Sequence, residues 1–207
     1  MNCNIDNFWD YIISDYIISI FKKHIPLTKE YSVCLLEDKH IKELFDDIDY
    51  NHIAFFTPII REYDKEWYLR TFNSKMENIK GYIVVNIDNL KETSVDYDEA
   101  VFLSGYSLIN AIKYTMIHEC RHAQQNYILR KLFNEDLNKI DKLMTLDSKE
   151  GILGVFEHDA CVYGISYVSN LYHNYQKNAN KNLINMIYKY YGEELNLKED
   201  KKDESNI

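Results

Sequence analysis

Residues 108–133, LINAIKYTMIHECRHAQQNYILRKLF, run for 26 positions without a glycine or a proline. Apolar residues recur along the stretch at spacings of three and four, the period of an α-helix. At 1.5 Å per residue such a helix is about 40 Å long, enough to cross a whole domain, so the rest of the chain has to pack around it. Ser107, just ahead of the run, is the predicted N-cap, its hydroxyl placed to accept from one of the first free backbone N–H groups. Breakers are scarce throughout, with 2 Pro and 6 Gly in 207 residues, which favours long helices elsewhere too.

The chain ahead of this helix reads differently. Residues 8–23 place Phe8, Trp9, Ile12, Ile13, Tyr16, Ile17, Ile20 and Phe21 mostly three and four apart and predict an amphipathic helix. YSVCLL (31–36), HIAFF (52–56), EWYLRTF (66–72) and GYIVVNI (81–87) are short, rich in β-branched and aromatic residues, and bounded by charged or turn-forming residues. They predict strands of a small sheet, with a short helix near DKHIKELFDD between the first two. Behind the long helix, NEDLNKIDKLMTL (134–146), ILGVFEHDACVYGISYVSNLYHNY (152–175) and NLINMIYKYYGEEL (182–195) predict three more helices, with Asn134 and Asp136 near the start of the first. The expected fold class is α+β: a small mixed sheet from the N-terminal half, packed on a long helix and further C-terminal helices. One domain over 1–195 is expected, followed by a charged tail at 196–207 with almost no apolar anchor.

Charge narrows the function classes. Lys and Arg number 24 against 33 Asp and Glu, a net charge of -9, so the protein's own field opposes a nonspecific grip on nucleic acid or an anionic membrane. The apolar start has no preceding basic segment and is interrupted by Asp10 and Asp15, so neither a signal peptide nor a membrane span is expected. Cys3, Cys34, Cys120 and Cys161 form no C-x-x-C pair or tight framework, which fits a reducing cytoplasm.

Within the long helix, HECRH places His118 and His122 one turn apart and about 40° apart in rotation, so two imidazoles can reach one ion. Glu119 lies about 100° round from His118, out of line for the same metal bond but able to reach water beside it. This is the logic of H-E-x-x-H, two zinc ligands and a general base. Ile112, Met116, Cys120, Ala123 and Tyr127 are expected on the core side, with Cys120 as filler, and Lys113, Arg121 and Gln124 on a wet face. A catalytic zinc also takes a third protein ligand and keeps one position open. FEHDACVYG offers Glu157, His158 and Asp159, any of which has the chemistry, although a carboxylate in a first helical turn is also explained by the helix dipole.

HECRHAQQ followed by E-x-x-A-x-x-Y-G at 157–164 resembles the zincin metallopeptidases whose third ligand is glutamate, the gluzincin type. It is similar in particular to small bacterial and phage proteins with an H-E-x-R-H-x-x-Q helix, and the second element to the E-x-x-A-x-x-F-A segment of ImmA/IrrE-like metallopeptidases. The resemblance covers about 81–164 and implies a zincin-like fold, Zn2+ held by His118, His122 and Glu157, and Glu119 as base. Three departures are visible: Cys161 stands where larger gluzincins carry an aspartate that orients a histidine, Arg121 stands where ImmA/IrrE-like helices carry glycine, and no H-x-x-G-x-x-H extension follows His122. GYIVVNI resembles the edge strand that borders a zincin cleft and could take a peptide by strand addition, with Asn86 as a cleft residue. Its apolar run equally fits an interior strand.

The expectation is a cytoplasmic zinc metallopeptidase acting on a peptide or protein, with nucleic acid and membrane excluded as partners. Tyr163, His158, Tyr167 and His173 are the candidates for contacting substrate or stabilising an oxyanion, and Tyr163 is carried forward with Asn86 as a substrate-binding residue. His24, His40 and His52 are expected on the surface or in strands. The alternative is a zincin fold kept as a binding or regulatory module. A closed structural zinc site, with Cys161 or His158 as a fourth ligand, ranks behind both.

Overall fold

The computed structural model describes residues 9–25, 30–44, 52–59, 79–92, 108–169, 171–172 and 174–197. Among them are seven α-helices and three strands, an α+β chain that is mostly helical. It divides into two compact units, residues 1–123 and 124–207. The predicted strand at 66–72, the Ser107 cap and the tail beyond 197 lie outside the described residues.

In the first unit a π-helical turn, Ile12–Tyr16, runs into α1 (Ile17–His24). Ile12, Ile17, Ile20 and Phe21 are buried, the stripe read from their spacing. His24 continues that stripe and is only 5% exposed, which corrects its expected surface position. Burial, with Lys23 and Lys113 nearby, lowers its pKa from 6.5 to about 4. Between those two values the unfolded chain binds a proton that the folded chain does not. The contribution of neutral His24 is therefore fully present above pH 6.5 and is lost as pH falls toward 4, by up to about 3 kcal/mol. Denaturant unfolding between pH 7 and 4.5 should show this loss, and His24→Leu should flatten it.

Strands β1 (Tyr31–Leu36), β2 (Ala54–Pro58) and β3 (Gly81–Asn86) form one sheet in the order β1-β3-β2. β3 is parallel to β1 and antiparallel to β2, with Ile83 opposite Val33 on one side and Phe56 on the other. All six β3 residues are buried, and Val84 and Val85 have no exposed surface. A strand covered on both faces selects an unbroken apolar run, which is why GYIVV carries no polar alternation. Tyr82 and Val84 pack with Ile41, Ile59 and Ile79; Ile41 comes from α2 (Asp38–Leu44), the short helix expected after the first strand.

β3 is thus the central strand, paired on both sides, and the edge-strand expectation is overturned. Asn86 closes it and is 1% exposed. Its Oδ1 accepts from Asp88 N at 3.1 Å and Asn89 N at 3.2 Å, capping α3 (Ile87–Glu92), and its Nδ2 donates to Asp38 Oδ1 at 3.3 Å. These bonds tie β3, α2 and α3 together and give Asn86 a structural role as the cap of α3.

The long helix α4 spans Leu108–Leu132. It is followed by α5 (Leu137–Ser148), a 3-10 turn (Gly151–Leu153), α6 (Val155–Val168) and α7 (Tyr175–Tyr191). Asn134 and Glu135 take left-handed φ of 51° and 62° to reverse the chain, and the Asp136 side chain accepts from Lys139 N to cap α5. The helix expected over 152–175 is shorter at both ends. At its C-terminal end Ser169 adopts extended backbone, its hydroxyl donating to Ile165 O and accepting from Leu171 N, while the last predicted helix begins earlier, at Tyr175. Ile128, Leu129, Phe133, Ile140, Leu143, Leu183 and Ile187 are among the residues forming the core of this unit. No described helix is long and apolar enough to cross a membrane.

Candidate metal centre

The middle of α4 is buried over more than half its circumference. Ile112, Met116, Ile117, Cys120, Arg121 and Ala123 are all under 4% exposed. At about 100° per residue they cover an arc of roughly 180°. His118 and His122 fall in the remaining arc with Tyr114 and Thr115, and all four are half-buried. Packing buries one side of the helix, and the side chains of His118 and Glu119 on the other keep 13% and 10% of their surface exposed. The wet face is corrected at Arg121, which is fully buried, whereas Lys113 and Gln124 are half-buried. Tyr127, expected on the core side, is half-buried, and Cys120 is the expected filler, with its thiol pKa pushed up by burial and by Glu119.

The two imidazoles meet edge to face, ring centroids 4.7 Å apart and planes at 81°, with Nε2 of His122 3.0 Å from Nε2 of His118. Two nitrogens held roughly 2.0–2.1 Å from one tetrahedral zinc are about 3.3 Å apart, so the pair needs a shift of only a few tenths of an ångström to share an ion. One proton can bridge the two Nε2 atoms, and a divalent cation can take its place. Glu119 is 8% exposed, and its Oε1 lies 3.9 Å from His118 Nε2. The ligand atoms of His118, Glu119 and His122 all fall within 4.8 Å of one another. Paired imidazole nitrogens are donors that suit zinc among other divalent metals.

The second unit carries the other candidates on α6. Glu157 is in its first turn, half-buried; His158 is exposed; Asp159 has no exposed surface. Asp159 Oδ2 accepts from Gln125 Nε2 at 2.7 Å and its Oδ1 from Tyr175 OH at 2.6 Å, so both oxygens are engaged inside the protein. His158, about 100° round the helix from Glu157, faces solvent. Cys161 is half-buried one turn beyond Glu157, the two ligand atoms within 4.8 Å. Tyr163 is 8% exposed; its hydroxyl lies 3.3 Å from that of Tyr167 and at 3.5 Å accepts from Gln124 Nε2.

The first turn of α6 is held from behind. Asp147, near the end of α5 and 4% exposed, accepts from Val155 N at 2.6 Å, Phe156 N at 3.3 Å and Tyr191 OH at 2.7 Å. Sequence reasoning missed Asp147, Gln125 and Asp159 as a supporting set. The available signals were a carboxylate eight residues ahead of Val155, the Gln125 of the H-E-x-R-H-x-x-Q pattern, and Asp159 two residues after Glu157. Of the other histidines, His40 and His52 are exposed as expected, and His173 lies outside the described residues. No family model, curated protein or solved structure matches the chain.

Proposed function

We propose that the protein is a zinc-dependent hydrolase, a zincin-like metallopeptidase in which His118, His122 and Glu157 hold the metal and Glu119 is the general base. The observation that carries this reading is the convergence of the two Nε2 atoms at 3.0 Å beside the buried carboxylate of Glu119. Glu157 is the third ligand on chemistry and position: among its neighbours Asp159 is consumed by hydrogen bonds and His158 faces solvent. Zinc held by these residues would supply Lewis acidity and bring the pKa of water toward about 7. Glu119 Oε1 is the proton acceptor for a water attacking the peptide carbonyl, and the proton it takes goes on to the departing amine. His118 and His122 orient the site and carry no proton through the cycle. Tyr163 and Tyr167, with hydroxyls 3.3 Å apart, are the groups assigned to substrate contact. The substrate is a peptide or protein in the cytoplasm, bound without strand addition to β3, whose two edges are already paired.

Protein purified without chelators should contain one zinc per chain by mass spectrometry and should digest a mixed-peptide pool. His118→Ala and His122→Ala should each lose the metal. Bound zinc with no cleavage of any peptide or protein would favour a zincin-fold binding or regulatory module. One observation favours a closed structural zinc site instead, namely Cys161 within 4.8 Å of Glu157 on the same helix. Cobalt substitution separates the two: a thiolate-to-cobalt charge-transfer band indicates the closed site, and its absence the open one.

A further inference from the structure

We infer that Gln125 and Asp159 are positioning residues that lock the Glu157-bearing turn of α6 in one register on the helix that carries the histidines. This rests on the reading of Glu157 as a metal ligand. Gln125 lies on α4, three residues beyond His122, and is 3% exposed. Its Nε2 donates to Phe156 O at 2.9 Å and to Asp159 Oδ2 at 2.7 Å. These two acceptors stand immediately before Glu157 and two residues after it, so one side chain of α4 grips α6 on both sides of the proposed ligand.

The grip is specific because its failure is costly. Asp159 is fully buried, and a buried carboxylate that loses its donors keeps its desolvation penalty. A slip of α6 by one residue would rotate Glu157 about 100° away and at the same time strip Asp159 of Gln125. Tyr175 OH, donating to Asp159 Oδ1 at 2.6 Å, fixes the carboxylate from the start of α7 and leaves Oδ2 aimed at Gln125. The set therefore converts a long-range packing choice into a fixed direction for the carboxylate of Glu157.

A double-mutant cycle on zinc affinity tests this. Affinity is read by competition with a chromophoric chelator for the parent, Gln125→Ala, Glu157→Gln and the double variant, with thermal melts alongside. Gln125→Ala should weaken zinc binding by about 10–100-fold, the usual cost of losing a group that orients a ligand. In the Glu157→Gln background the same change should produce no further weakening, because its effect passes through Glu157. Tyr175→Phe, which deletes a single hydroxyl, should weaken binding by a smaller factor and keeps the test readable if Gln125→Ala does not fold. Leu183→Ala, a buried core change in the same unit, should lower the melting temperature and leave zinc affinity unchanged. Equal affinity in Gln125→Ala and parent, or equal weakening in both backgrounds, overturns the inference and leaves the metal reading standing. A parent protein that takes up no zinc overturns both.

Discussion

Glu119→Gln leaves one zinc per chain and lowers peptide turnover by about 10²–10⁴-fold, the usual contribution of a positioned proton-transfer group. The substitution is nearly isosteric, so the buried pocket around the 8%-exposed side chain is not emptied and the convergence of the two histidine Nε2 atoms is kept. What changes is chemistry: the amide that replaces Oε1, 3.9 Å from His118 Nε2, cannot accept the proton of water and later release it. Zinc content and turnover should be measured on the same preparation. Turnover that survives with zinc in place would move the base elsewhere, and zinc lost together with turnover would make Glu119 part of the metal cage.

Asp147→Ala is the change expected to cost the most stability, about 3–5 kcal/mol by denaturant unfolding. One buried carboxylate accepts from two backbone N–H groups at the start of α6 and from Tyr191 on α7. Losing a helix cap alone costs about 1 kcal/mol, and the Tyr191 hydroxyl, 8% exposed as a residue, would be left without its acceptor. Gly154 belongs to the same device. A Cβ there would stand 2.6 Å from Asp147 Oδ2 and 2.9 Å from its backbone O, so only glycine lets the carboxylate close on the helix end. Asp147→Asn keeps one acceptor oxygen and should recover part of the loss. A cost below about 1 kcal/mol for the alanine variant would show that solvent replaces the cap.

Because the first turn of α6 bears Glu157, the same variant tests how far the metal depends on that cap. Fraying of Val155 and Phe156 releases the ligand turn from one end, while Gln125 still holds Phe156 O and Asp159 from the other. Zinc affinity in Asp147→Ala should accordingly fall less than in Gln125→Ala.

Local periodicity alone determined the long helix, the pairing of His118 and His122 on one face, the place of Glu119 beside them, and the burial of Cys120. Each of these follows from the rise and rotation of a single helix, so neighbours one turn apart in sequence are neighbours in space. Only tertiary structure decided that β3 is central and Asn86 a cap, that Arg121 and His24 are buried, and that Asp159 is spent on Gln125 and Tyr175. Those outcomes depend on partners tens of residues away, such as Val33 and Phe56 flanking Ile83 or Gln125 meeting Asp159, and no short-range period encodes which distant group a polar side chain will find.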